Sequence, residues 1–209
     1  MKKFKMLLVL LTMICAGNTA LAAGENILVA YFTYGENASL PENVDASASA
    51  SIQMWDNKIT GNTGVVAHFI SNATGGDLFS IQTAEKYPES YNATVDIGRE
   101  EKNGNIRPQL ISHIESLEEY DTIFLGFPNW WSDMPMALYS FLDEYDFSGK
   151  TIIPFSTSGG SGLSNTVSSI KTAEPQADVL NGFTIGARRA TGAEREVLNH
   201  LENMGYINN

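Results

Sequence analysis

Five short apolar runs, Ile27 to Phe32, Leu78 to Ile81, Thr122 to Phe127, Thr151 to Phe155 and, more weakly, Val179 to Ile185, alternate with stretches of helical periodicity. This alternation constrains the fold more than any other feature. Strands that take turns with helices pair in parallel, because each crossover must carry the chain back over the sheet. The helical period is read from Val65, Val66, Phe69 and Ile70 after Asn62; from Leu110, Ile111, Ile114 and Leu117; from Met136, Leu138, Phe141 and Leu142; from Val167 and Ile170; and from Val197 and Leu201. Right-handed crossovers leave a five-stranded doubly wound parallel sheet, α/β with helices on both faces, as the simplest topology.

The first residues read differently. Lys2, Lys3 and Lys5 precede an apolar run from Met6 to Cys15 and the small-residue pattern Ala20-Leu21-Ala22. This is the pattern of a cleaved secretory signal over residues 1–22, which leaves residues 23–209 as one domain and predicts a periplasmic or extracellular protein. Lys2-Lys3 is not a twin-arginine signal, so the chain is expected to cross unfolded and to acquire any cofactor after export. No later stretch approaches the roughly 18 apolar residues of a membrane span, so no integral membrane segment is expected after cleavage. Cleavage would also remove Cys15, the one cysteine, and with it any disulfide or thiol nucleophile. Loss of the three lysines takes the net charge from −11 to −14, since residues 1–22 hold no acid. Such a chain is a poor partner for nucleic acid. Its acidity suits solubility or docking to a basic redox protein.

Two connections are long. Residues 34–61, rich in Ser, Ala, Asn and Asp, separate the first strand from its helix, where two to six residues would suffice. They form an insertion, either a plain surface loop or a lid over the ligand edge. Residues 83–106 carry Tyr87-Pro88, Tyr91 and the charged string Arg99-Glu100-Glu101-Lys102, read as a solvated helical turn.

Three loops fall at carboxyl ends of strands, the edge where open parallel sheets bind ligands. Thr33, with Gly61-Asn62-Thr63-Gly64 at a helix start, offers hydroxyls and free backbone N–H groups to an anion without a Lys or Arg; simple N-capping would use the same residues. Pro128-Asn129-Trp130-Trp131 places two indoles after a buried strand that Pro128 ends, so at least one should be presented as a platform. Thr157-Ser158-Gly159-Gly160 lets a backbone approach a planar ligand, although it is also ordinary loop composition. Ser158 and Ser161 lack the last glycine of a nucleophile elbow, and His68, His113 and His200 fall on predicted helices away from this edge. No catalytic side chain and no metal site is predicted.

In order, ILVAYFT, GNTGVVAHFI, DLFSIQTAEKYPESY, YDTIFLGFPNWWSDMPMALYSFLDEYDFSGKTIIPF and STSGGSGLS resemble the flavodoxin-like family over nearly the whole mature chain. The resemblance implies flavin mononucleotide (FMN) as cofactor. Thr33, Asn62, Thr63 and Gly64 would then take its phosphate; Pro128, Asn129, Trp130, Trp131, Thr157, Ser158, Gly159 and Gly160 would frame its ring. Two departures stand out. The insertion splits the phosphate loop, so that Gly35-Glu36-Asn37-Ala38 competes with Gly61-Asn62-Thr63, and the later stretch is preferred because Glu36 would set a carboxylate against a phosphate. The third loop also lacks the aromatic that electron-carrying flavodoxins often set against the second ring face. An uncovered face suits an oxidoreductase that reduces a flat acceptor such as a quinone. A one-electron carrier docking a redox protein, and an exported binding module without FMN, remain alternatives.

Overall fold

The computed structural model describes residues 26–40 and 51–208. The proposed signal, residues 1–22, lies outside them. The strands are β1 (Ile27–Tyr31), β2 (Gln53–Trp55), β3 (Lys58–Thr60), β4 (Asp77–Ser80), β5 (Thr122–Pro128), β6 (Thr151–Ser158), β7 (Asp178–Val179) and β8 (Phe183–Gly186). The helices are α1 (Tyr34–Asn37), α2 (Asn62–Thr74), α3 (Tyr91–Gly104), α4 (Met136–Glu144), α5 (Thr166–Ala173) and α6 (Glu194–Met204). The main sheet runs β4-β1-β5-β6-β7, with β8 also on β6, and every pairing in it is parallel. Five sheet positions result, as the apolar runs predict. The reversal of strand order between β1 and β5 opens the carboxyl edge there, and that is where this topology seats ligands.

Alternate residues of each strand feed two cores. Leu28, Ala30 and Phe32 face α4 and α5 through Leu138, Phe141 and Ile170. Val29 and Tyr31, with Phe124, Ile153 and Phe155, face α2 and α6 through Val66, Ile70, Val197 and Leu201. Strands buried on both sides explain why the runs are continuously apolar instead of alternating. Gly126 is forced by this packing, since a Cβ there would lie 2.1 Å from the Phe155 ring.

The last sheet position is broken in two for an identifiable reason. Pro154 sits inside β6 and has no N–H for the ladder, so the partner strand leaves register after Val179 and rejoins at Phe183, opposite Phe155. Gly182, at φ +65°, fits against the Pro154 carbonyl, where a Cβ would come within 1.9 Å.

One predicted helix is not there. Residues 110–117 do not form one: Leu110 bridges Thr83 antiparallel, Ile111 N–H donates to the Gln82 carbonyl, and Ala84 N–H to that of Gln109. His113 consequently lies on this segment and not on a helix, with its Nδ1 2.6 Å from Glu144. The helix of this crossover is α3, which begins at Tyr91 and takes in the charged string. Its period escapes hydrophobicity because the residues it buries are Thr94 and Gly98. Asn105, at φ +49°, closes α3 as a left-handed cap, and Pro108 follows.

The insertion is structured at both described ends. Asn37, fully buried, donates from Nδ2 to the Thr33 and Ile81 carbonyls, each at 3.0 Å, and its Oδ1 accepts from Thr83 N–H at 2.9 Å. Downstream, β2 and β3 form a hairpin on an Asp56-Asn57 turn with both residues at positive φ, the geometry that matches strand twist. Trp55 of this hairpin stacks on His68 of α2, 4.8 Å apart and 9° from parallel. Among the described residues, no helix is long and apolar enough to cross a membrane.

Candidate functional site

The three loops meet at the carboxyl edge. Gly61 precedes the first turn of α2 and offers no side-chain cap. Val65 N–H reaches the Gly61 carbonyl, so the helix geometry itself gives no acceptor to the N–H groups before it. Gly61 is tightly held: a Cβ would fall 2.0 Å from Thr33 Oγ1 and 2.7 Å from the Ser51 carbonyl. That close approach brings the end of β1 against the start of α2 despite the insertion between them. Gly35 makes the reciprocal contact, with a would-be Cβ 1.9 Å from the Thr60 carbonyl.

Thr33, Asn62 and Thr63 are all buried. Asn62 Oδ1 accepts from Gln53 Nε2 of the hairpin at 2.8 Å, and the Thr63 and Thr157 hydroxyls pair at 2.8 Å. The first and third loops thus touch directly. The second joins them through Asn129, whose N–H donates to the Thr157 carbonyl at 2.9 Å and whose Nδ2 donates to the Gly162 carbonyl and Ser164 Oγ, both at 2.9 Å. Ser158 Oγ accepts from the Gly160 and Gly162 N–H groups, pinning its own loop. Gly159 and Gly160 stand open, with nothing within 4 Å of a built Cβ.

Glu36 lies beside this turn, and its Oε1 would be 3.2 Å from a Cβ on Gly64. Its carboxylate is held by hydroxyl donors: Tyr31 at 3.1 Å, Thr60 at 2.5 Å, and Ser80. Burial, reinforced by the adjacent Glu36 charge, pushes the Tyr31 phenol well above its ordinary range, so Tyr31 stays a donor.

The two indoles have separate fates. Trp130 and Asp133 exchange backbone hydrogen bonds across a two-residue turn, and Trp131 and Ser132 occupy it at φ +55° and +60°. Trp130 is half-buried and meets Phe32 and Tyr87 edge to face at 5.6 and 5.2 Å, so it closes the core. Gly98 of α3 makes room for it, since a Cβ would stand 3.1 Å from its ring. Trp131 is 45% exposed, as the platform reading requires of at least one indole. Its Nε1 donates to the Val95 carbonyl at 3.1 Å, and the Arg99 guanidinium lies 5.7 Å from its ring centre.

Between the indoles and the start of α3 opens a cleft of about 330 Å³. Asn129, Trp130 and Trp131 line it together with Tyr34, Ser51, Glu89, Tyr91, Thr94 and Val95. Sequence reasoning named Tyr34 only as the neighbour of Thr33 in the first loop, and it missed the other five as site residues. Tyr91 stood out in the long connection, but only the placement of α3 turns it toward the indoles. Among the described residues no cluster of three or more His, Cys, Asp or Glu is arranged to hold a metal ion.

A parallel sheet in this strand order, with three loops converging beside an uncapped helix start, defines a flavodoxin-like α/β protein. The chain belongs to the flavodoxin family, whose model matches residues 51–204. Among solved structures it is similar to a candidate flavoprotein of Bacteroides eggerthii, 26% identical over 86% of this chain and 98% of that one, with a TM-score of 0.65. A candidate flavoprotein of Bacteroides uniformis is 28% identical over 84% and 99%, with a TM-score of 0.60. A Lactobacillus acidophilus flavoprotein solved in complex with FMN shares the fold at 17% identity over 81% and 98%, with a TM-score of 0.57. No curated protein matches the chain.

Proposed function

We propose that this protein is an exported FMN-binding oxidoreductase that reduces a flat acceptor such as a quinone. The observation that carries the reading is the cradle at Gly61. Gly61 packs directly on Thr33 Oγ1 and the Ser51 carbonyl, where a Cβ would clash, and gives α2 no side-chain cap, so the backbone N–H groups and the positive end of the helix dipole at its start stand beside the Thr33 and Thr63 hydroxyls. These neutral donors fit a phosphate, and the hydroxyls of Tyr31, Thr60 and Ser80 occupy the Glu36 carboxylate on the neighbouring side. The fold shared with the FMN-complexed Lactobacillus protein supports the choice of flavin.

Thr33, Asn62, Thr63 and Gly64 would hold the phosphate; Pro128 to Trp131 and Thr157 to Gly160 would border the ring. Bound FMN would supply hydride or electron transfer, which asks no side chain to act as acid or base. The chain contributes position. Asn129 locks the second loop to the third, and the open Gly159-Gly160 backbone leaves room for a flat reactant near the ring.

Titration of the purified protein with FMN, followed by visible absorbance and tryptophan fluorescence, tests the cofactor. The expected result is a perturbed flavin spectrum with quenched emission; a colourless protein with no titratable binding overturns the proposal. Steady-state turnover with reduced nicotinamide and a quinone then separates an oxidoreductase from a one-electron carrier. Export is tested by fractionation and by sequencing the mature amino terminus, expected at Ala23; a cytoplasmic protein that retains residues 1–22 refutes it.

A further inference from the structure

The cleft on the α3 side of the indole turn has a chemistry of its own. Of the residues assigned to FMN, Asn129, Trp130 and Trp131 line it, and none of Thr33, Asn62, Thr63, Gly64 or residues 157–160 does. Its walls are the rings of Tyr34, Tyr91, Trp130 and Trp131, and its charged lining residue is Glu89. No ion pair among the described residues involves Glu89. The nearby cations are otherwise engaged. Arg99 pairs with Asp96 at 2.7 Å, and Lys102 donates to the Trp131 carbonyl at 2.6 Å and lies 3.4 Å from Asp133.

The walls are built and not incidental. Trp131 is held in the left-handed region, which L side chains avoid, and its indole N–H is tied to the Val95 carbonyl. Trp130 is seated against the bare Gly98, and the Tyr34 hydroxyl donates to the Pro88 carbonyl at 2.7 Å. Both the Tyr34 and Trp131 donors are thereby spent on the protein itself. Beside the polar Ser51, Thr94 and Asn129, the cleft presents aromatic surface, negative on its faces, and a carboxylate as its one charged group among the lining residues; such a lining attracts cations and repels anions. Arg99 near the Trp131 ring already shows a guanidinium drawn to this aromatic surface.

We infer that this cleft, which shares the indole turn with the proposed ring seat but opens toward α3, is a second binding site, distinct from the proposed phosphate cradle, for a planar aromatic cation of the N-alkylpyridinium or quinolinium class. Its size suits one or two fused rings, and its ligand stacks on the indoles with the positive nitrogen toward Glu89. Binding at this site does not require FMN.

The test uses N-methylquinolinium and, as an anion of similar shape, naphthalene-2-sulfonate, each titrated into FMN-free and FMN-saturated protein by NMR of the indole N–H signals. The cation should shift the Trp130 and Trp131 signals but not that of Trp55, and should bind about tenfold more tightly than the anion. Glu89→Gln should cut that preference roughly threefold, a screened surface charge being worth no more. Tyr91→Ala should weaken the cation by about threefold or more through lost stacking. Equal or tighter binding of the anion overturns the inference, as does indifference to both substitutions. Stoichiometric displacement of the cation by FMN also overturns it, because the cleft would then be the flavin's own seat. Failure of FMN to bind leaves the FMN-free titration as a complete test and counts only against the flavin proposal.

Discussion

The hydroxyl pair that joins the first and third loops can be tested without any ligand. Thr63 and Thr157 are 1% and 3% exposed, and their hydroxyls are 2.8 Å apart. Replacing one threonine by valine keeps the shape but strands the other hydroxyl in a buried site, at a cost of about 1–3 kcal/mol. Replacing both removes donor and acceptor together, which is close to neutral for groups of matched shape. The expected pattern is therefore non-additive: Thr63→Val and Thr157→Val each destabilise by about 1–2 kcal/mol, and the double variant loses less than their sum by about 1 kcal/mol or more. Urea unfolding of FMN-free protein measures all four corners of the cycle. Additive losses would refute the direct hydroxyl bond and with it the claim that the first and third loops are bonded to each other before any ligand arrives. On the flavin reading, Thr63→Val should also weaken FMN more than Thr157→Val does, since only Thr63 is assigned to the phosphate.

Three further outcomes follow from the same geometry. Trp131→Gly should be more stable than Trp131→Ala by about 1 kcal/mol, because alanine keeps the left-handed φ of +55° while losing the indole, and glycine does not resist that conformation; equal urea midpoints would contradict the strain. Glu174 has its carboxyl pushed up from 4.5 to about 7, first by burial and then by the charges of Asp143 and Asp146. The folded state therefore binds the proton more tightly than the unfolded one, so stability falls as pH rises from about 4.5 through 7, and the penalty is complete above that. Glu174→Gln should remove this slope and stabilise the protein at pH 8 by on the order of 1 kcal/mol after solvent screening, with no gain at pH 4; identical melting curves at pH 8 would sink the assignment. Finally, Glu36→Gln should tighten FMN about threefold while leaving riboflavin, which lacks the phosphate, unchanged; calorimetry showing a parallel change in both would mean that Glu36 acts through structure and not through charge.

The sheet was legible because its strands are buried on both faces, which writes them as continuous apolar runs. Pro154 marks where that reading loosened, splitting the weak run from Val179 to Ile185 into β7 and β8. The missed helix has the opposite cause. Helix α3 packs through Thr94 and Gly98, so its buried face carries almost no hydrophobic signal, whereas Leu110, buried from an antiparallel bridge, and Leu117, buried from the start of a 3-10 turn, imitate one. Of the site, the loops were legible because their chemistry is local: glycines before a helix, a proline ending a strand. The cleft was not, because Tyr34, the stretch from Glu89 to Tyr91, and the indole turn come from three separate segments that only the tertiary fold assembles.

The insertion is the harder case, and contact distances decide it. A chain that leaves β1 at Thr33 and enters α2 at Asn62 has every opportunity to build its helix start from the nearer Gly35-Glu36-Asn37. It does start a turn there, and Asn37 ties that turn to its own cap residue Thr33 and to the residues following β4. Yet Gly61 lies so close to Thr33, and Gly35 so close to Thr60, that neither tolerates a Cβ. The two candidate continuations are therefore packed as one unit, with α2 supplying the long helix and α1 supplying Glu36 to its flank. A lid hinged at both ends would not need two such glycine contacts at its base. At those ends the insertion is part of the cradle.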